Sequence, residues 1–493
     1  MIADNDASSN LLLNAAQREM LWKQLAQTIE EYISGIRELP VSADPSPEFV
    51  RSLFAKIDFA NPISPEAALR FAAESLAATQ VHTPHPRYYG LFNPTPGTMG
   101  IAADALVAAF NPQLAVWKHN PFAVEVEQYL IRAFGACFGY DAASIDGTFT
   151  ASGSEANHTA LLVSLAHRFP QLEKDGLRGL SAQPVFYVSA ESHHSFHKAV
   201  RHCGLGSNAV REIPVDSNLK MEIAPLEAAI QQDRRAGLAP FLIVGTAGTT
   251  NAGAIDPLPA IADLAAREKL WFHVDAAWGG AAALVPELRP LLAGAERADS
   301  ITLDAHKWLS VPNGAGLFLT RHPEILGRTF HISAAYVPPK ADGTGIVDPY
   351  EHSIHWSRRF IGLKIFLALA VAGWDGYADV LRHMAKMGNE LRRALAEAGW
   401  EVVNSTALPV ACFQDNRSPQ GRQAAYLENI ARDVVRSGHA WISTTRVRGN
   451  NTVLRACITS YRTQPQDIRA LIGALQAARS AVANFSAGAA ANS

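Results

Sequence analysis

Asp275 and Lys307 are the two residues whose type and position promise chemistry. They stand in LWFHVDAAWGG, 270–280, and in SITLDAHKWLSVPNGAGLFL, 300–319. Each follows the C-terminal end of an apolar run that reads as a buried strand, the place where open α/β sheets bind their ligands. A primary amine can form a Schiff base with an aldehyde, and a carboxylate can pair with a protonated ring nitrogen. Together they can hold one small aromatic cofactor and make it an electron sink. Ala276, Ala277, Gly279 and Gly280 beside the acid are small enough for a flat ring to approach the backbone, and Trp308 and Leu309 close the lysine's turn with apolar bulk. A bare His-Lys pair usually sits in a solvated loop; the string around this one carries the inference.

Three other segments offer partners. In TFTASGSEANHTALLVSLAHR, 148–168, Ser152, Gly153 and Ser154 lead into apolar residues at helical spacing, so free N–H groups of a helix N-terminus would face a bound dianion. Ser152 and Glu155 equally make an ordinary capping box, which needs no ligand. YVSAESHHSFHKAV, 187–200, ends a strand near Ala190 and delivers His193. His193 and His197 stand four apart and could ligate zinc, but no Glu lies between them as a base and no third ligand is evident. FLIVGTAGTTNAGAIDPL, 241–258, reads as a strand covered on both faces that runs into a Gly-Thr-Thr turn. Thr250 in that turn is either a neighbour of the ligand or a simple turn residue.

These motifs together resemble the group II pyridoxal-dependent decarboxylases, the family of aromatic amino-acid, glutamate and diaminobutyrate decarboxylases. The resemblance is strong over 86–359 and holds in outline elsewhere. It implies an aspartate aminotransferase-like PLP fold (fold type I), α/β with a mainly parallel seven-stranded sheet and a small C-terminal α+β domain. It also implies pyridoxal 5'-phosphate as cofactor, with Lys307 on its aldehyde and Asp275 on its pyridine nitrogen. By the same resemblance Ser152, Gly153, Ser154 and His306 lie at the phosphate, His193 stacks on one face of the ring with Ala277 on the other, and Thr250 lies near cofactor and substrate. Asp304 departs from the pattern, since aromatic decarboxylases commonly carry Asn there. A carboxylate beside a dianion is unfavourable unless a cation or proton intervenes, so His306 and the 152–154 turn are expected to carry more of that contact.

In HISAAYVPPKADGTGIVDPYEHSIHWSRRF, 331–360, prolines, glycines and charges predict a surface loop. The resemblance places there, at Tyr336, the residue that protonates the substrate carbanion in the partner subunit's site; from its type alone Tyr336 could equally be an apolar anchor. Arg358 and Arg359 match a structural pair. In RYYGLFNPTPG, 87–97, Phe92, Pro94 and Thr95 match places that line the side-chain pocket, with Trp117 nearby, which favours an aromatic L-amino acid. Asn93 falls where an aromatic residue is frequent and keeps glutamate or diaminobutyrate open. An aldehyde synthase is a further alternative, disfavoured by Tyr336 and His193. Outside this chemistry stands a non-catalytic binding protein that kept the fold, which an intact Lys307, Asp275 and His193 make a poor description.

The elements that must position these residues follow from the chain as a whole. At 493 residues, 48% hydrophobic and 18% charged, it has material for a large core and more than one unit. A net charge of −3 with interspersed signs leaves no footprint for nucleic acid or anionic membrane. Cys137, Cys203, Cys412 and Cys457 form neither a metal pattern nor a disulfide framework, as expected of a cytoplasmic protein. The polar start MIADNDASSN lacks signal-peptide character. The apolar stretch 360–374 carries Lys364 and is expected to be a buried helix rather than a membrane span. The expected units are an N-terminal helical arm at 1–85 that builds a homodimer, a large cofactor-binding domain at 86–375, a small α+β domain at 376–485 with helices at 378–399, 421–437 and 465–484, and a disordered tail at 486–493.

Overall fold

The computed structural model describes residues 9–92, 95–332 and 345–491. Seven strands form one sheet: β1 Asp146–Thr150, β2 Pro184–Ser189, β3 Val210–Ile213, β4 Ala239–Thr246, β5 Trp271–Asp275, β6 Ser300–Asp304 and β7 Gly316–Thr320. Their order is β1-β7-β6-β5-β4-β2-β3. Neighbours from β6 through β3 are parallel, whereas β7 runs antiparallel to both β1 and β6. Alternation explains why the strands read as unbroken apolar runs. On β4, Leu242 and Val244 enter the core on one face and Ile243 enters it on the other, so both faces are covered.

Helix starts follow local chemistry. In α1, Ala15–Gly35, Asn14 and Gln17 make a reciprocal capping box. In α2, Pro65–Thr79, Ser64 accepts from the Ala67 N–H and proline occupies the first turn. Next come α3, Thr98–Phe110, and α4, Pro121–Cys137. The helix that matters most for the site is α5, Gly153–Arg168, which starts directly after β1 and lays Ala156, Ala160 and Val163 on the sheet. The shorter α6, Ser195–His202, follows β2 and buries Phe196 on the same face.

Beyond the sheet, α7, Gly362–Glu397, replaces the expected pair of segments, and Gly373 at φ 66°, ψ 176° breaks it where a domain boundary was expected. The stretch 360–374 is only partly a buried helix. Its first turn is buried and Lys364 is satisfied by Asp104 Oδ2 at 3.0 Å and Asn313 O at 3.1 Å, but Val371 is 69% exposed. The small C-terminal sheet, β8 Trp400–Val402, β9 Val410–Asp415, β10 Ser443–Val447 and β11 Asn451–Cys457, is antiparallel in the order β8-β9-β11-β10. It packs against α8, Ala424–Arg436, and α9, Pro465–Ala491, through Tyr426, Leu427, Ile468 and Leu471. The last helix continues past its expected end at 484, as its alanine-rich composition favours.

Candidate active site

The C-terminal ends of β4, β5 and β6 and the start of α5 enclose a cavity of about 210 Å³. Its walls bring together Ser152, Gly153, Ser154, His193, Thr250, Asp275, Ala277, His306 and Lys307, residues scattered over more than half of the expected large domain. Larger cavities exist, including an 890 Å³ groove beside Leu165, Phe169 and Leu177, whose described lining holds no lysine.

Lys307 lies in the turn after β6, which closes through Ser310 N to Lys307 O at 3.2 Å with Ser310 at φ 56°, a left-handed conformation uncommon for serine. Its Nζ lies 3.0 Å from Asp304 Oδ2. Asp304 is 2% exposed and wedged between two glycines; a Cβ on Gly153 would meet Asp304 Oδ2 at 2.5 Å, and one on Gly316 would meet Oδ1 at 2.8 Å. Lys307 is thus the cation that makes a carboxylate tolerable here, and Oδ1 is left without a hydrogen-bond partner. Asp275 accepts from the Ala277 N–H at 3.1 Å through Oδ1 and from Asn157 Nδ2 at 2.8 Å through Oδ2, so it is held as an acceptor facing the cavity.

The anion end is the N-terminus of α5. Ser152 Oγ caps the Glu155 N–H at 3.3 Å, while Glu155 Oε2 reaches back to the Ala151 N–H at 2.9 Å, one residue before the cap rather than at it. The N–H groups of Gly153 and Ser154 have no intrahelical acceptor, as in any first turn, and both residues line the cavity. His306 uses Nδ1 to accept from the Ala315 N–H at 3.1 Å, and burial lowers its pKa, so it stands neutral with Nε2 toward Asp304. His193 presents its ring to the cavity. The surrounding protein depresses its pKa by desolvation, and Asp275 opposes that shift. His197 turns away to Glu212 at 3.0 Å. Gly248, at φ 98°, lets the β4 turn pass Gly279 closely.

The expected side-chain pocket is only partly assembled. Phe92 stacks on Trp278 with centroids 4.4 Å apart, and Lys307 Nζ lies 5.8 Å from the Phe92 ring. Thr95 does not line the cavity; its hydroxyl is engaged by Pro84 O at 2.7 Å and Ser460 Oγ at 2.8 Å, where it ties the N-terminal segment to the small domain. Trp117 is not at the cavity either. Its indole N–H reaches Glu125 at 2.9 Å on a half-exposed surface. Asn93, Pro94 and Tyr336 lie outside the described residues. Arg358 is structural, clamped on both oxygens of Glu127 at 3.0 and 2.5 Å, and Arg359 pairs with Asp104.

Asn157 and Arg455, like His273 on β5, went unread in the sequence. Asn157 is a buried amide one turn into α5, on the face that carries Gly153. Arg455 of β11 is 2% exposed, lies 5.0 Å above the Phe92 ring and bonds Thr250 O and Gly90 O, yet its Nη2 has no partner.

The arrangement can hold a phosphorylated aromatic aldehyde, with donors for the dianion at one end, an amine for the aldehyde, and an acid for the ring nitrogen at the other. The family model described as pyridoxal-dependent decarboxylase conserved domain matches residues 51–416, and the chain belongs to that family. It is 29% identical over 467 residues to an aromatic-L-amino-acid decarboxylase of Bacillus atrophaeus, covering 94% of this chain and 95% of that one. It is also 29% identical over 486 residues to a tyrosine decarboxylase of Oryza sativa subsp. japonica, covering 93% and 90%. The crystal structure of mouse CSAD superposes with a TM-score of 0.87 at 25% identity, covering 94% of this chain and 99% of that one. The protein is a pyridoxal-phosphate-dependent amino-acid decarboxylase with the fold that the sequence predicts. No helix among the described residues is long and apolar enough to cross a membrane.

Proposed function

We propose that the protein decarboxylates an aromatic L-amino acid to its amine. The observation that carries this is the Phe92–Trp278 stack beside Lys307, an aromatic wall at the reacting amine. Burying a flat side chain there gains roughly 1.5–3 kcal/mol. The names of the Bacillus and Oryza relatives support the same class.

Bound pyridoxal phosphate supplies the electron sink for the charge left at Cα when carbon dioxide departs. The chain's own residues do the rest. The 152–154 turn and His306 would hold the phosphate, Lys307 would hold the aldehyde until the substrate amine replaces it, and Asp275 would keep the ring nitrogen protonated. His193 and Ala277 would bracket the ring, Thr250 would border the substrate, and Tyr336 would return the proton to Cα.

Glutamate and diaminobutyrate form the second substrate class, because Asn93 stands where an aromatic residue is frequent in the family. A panel of L-tyrosine, L-dopa, L-phenylalanine, L-tryptophan, L-glutamate and L-2,4-diaminobutyrate, scored by kcat/KM for carbon dioxide release, decides between them. An aromatic member is expected to lead by roughly tenfold or more, the scale on which a filled apolar pocket discriminates; a lead for glutamate or diaminobutyrate contradicts the aromatic assignment.

A homodimer in the cytosol completes the proposal. Phe110 is 81%, Phe122 63% and Val371 69% exposed on α3, α4 and α7, large apolar side chains that a partner subunit would cover, and all four cysteines are free. The protein is expected to sediment at twice the chain mass and Phe110→Asp with Val371→Asp to shift it toward the monomer; a monomeric wild type contradicts the dimer.

A further inference from the structure

Behind Asp275 runs a file of buried polar side chains that no step above uses. Trp271, His273 and Asp275 alternate onto one face of β5, the face covered by α5. In the parallel register His273 lies opposite Ser300 of β6 and Asp275 opposite Thr302. Asn157 comes down from α5 between His273 and Asp275. Asn157, His273, Ser300 and Thr302 are each no more than 1% exposed.

The protons in this file can be placed from chemistry alone. A carboxylate only accepts, so the Asn157 atom 2.8 Å from Asp275 Oδ2 is the amide nitrogen, which also donates to Ser195 Oγ at 3.0 Å. The Asn157 oxygen therefore faces His273 Nε2 at 3.3 Å and must accept, which puts the imidazole proton on Nε2, where the Thr302 hydroxyl oxygen, also at 3.3 Å, shares it. Nδ1 is left to accept from the Ser300 hydroxyl at 2.8 Å, and Ser300 Oγ accepts from the Trp271 indole N–H at 2.9 Å. Burial lowers the His273 pKa to about 4, in keeping with a ring that carries one proton. From Trp271 through Ser300, His273 and Asn157 each link has a donor that points toward Asp275, so those dipoles add and each bond polarises the next, while the second Asn157 N–H goes to Ser195.

We infer that Asn157 and His273 are positioning residues that fix the Asp275 carboxylate as an acceptor for the cofactor's ring nitrogen, with His273 acting through Asn157. The alternative is a file that merely satisfies buried polar groups. The two differ in a readout at the cofactor itself. If the file positions Asp275, removing a donor weakens the anion's hold on the ring proton; if it only satisfies the core, the ring proton stays.

The test uses holoprotein loaded with pyridoxal phosphate carrying ¹⁵N in the ring, and reads the nitrogen's NMR shift together with kcat and KM. Asn157→Leu is expected to move the signal from the protonated toward the neutral position. It should also lower kcat by roughly 10- to 100-fold with KM changed far less, as befits loss of a hydrogen bond to a charged group. His273→Leu is expected to act in the same direction with smaller size, and His273→Gln, which restores an N–H near Nε2, to recover most of the loss. A wild-type ring signal in both Asn157→Leu and His273→Leu overturns the inference. Should Asn157→Leu not fold, identical signals in His273→Leu and His273→Gln overturn it. Because the inference rests on Asp275 as the ring-nitrogen partner, Asp275→Asn is run alongside. An unmoved signal there removes that role altogether, whereas a moved signal there with an unmoved one in Asn157→Leu removes only the positioning role.

Discussion

Lys307→Ala is expected to yield a folded protein that no longer forms a borohydride-trapped lysine adduct and has lost nearly all turnover. Among the described residues the amine is the only lysine at the cavity, held 3.0 Å from Asp304 in a turn that Ser310 locks. The covalent hold on the cofactor disappears with it, and turnover should fall by roughly three orders of magnitude or more, the scale on which removal of a covalent group acts. The lost amine also leaves Asp304 buried with no counter-charge, so the variant's stability should fall as well, and thermal denaturation should be recorded beside activity. A trapped peptide that maps to another lysine in the wild type contradicts this assignment.

Asp275→Asn is expected to cost about 3–4 kcal/mol of transition-state stabilisation, roughly 10²- to 10³-fold in kcat. Two effects add. The charge that keeps the ring nitrogen protonated is gone, and an amide offers one oxygen where the carboxylate accepted from both Ala277 N–H and Asn157 Nδ2, so one buried donor is stranded. Substrate affinity should change much less than kcat, because the loss is felt as charge develops. A variant within a few-fold of wild-type kcat contradicts the role.

Much of this site was legible because parallel sheets put strand ends in one place. Asp275, Lys307, Thr250 and His193 each follow an apolar run, and once those runs are adjacent strands their following residues must converge. Ser152, Gly153 and Ser154 were legible from the helix-start pattern. Asn157 and His273 were not, because a polar residue inside an apolar helix or strand reads as an imperfection in the period. The signal lay in the spacing of Trp271, His273 and Asp275, two apart and hence on one face. Thr95 and Trp117 were named from matching family positions, which do not say where a polar atom finds its partner; here Ser460 and Glu125 hold them. The break at Gly373 falls within a few residues of the boundary expected at 375, between the apolar stretch and the helix read at 378–399.

The most direct test of the central claim is the fate of the substrate carboxylate. Holoprotein is incubated with an aromatic L-amino acid labelled with ¹³C at the carboxyl, and labelled carbon dioxide, amine, aldehyde and peroxide are counted in the same vessel. The site described here predicts one labelled carbon dioxide for each amine formed, with no stoichiometric peroxide and with all products lost in Lys307→Ala. Label retained in a keto acid, or release that survives the loss of Lys307, would contradict it.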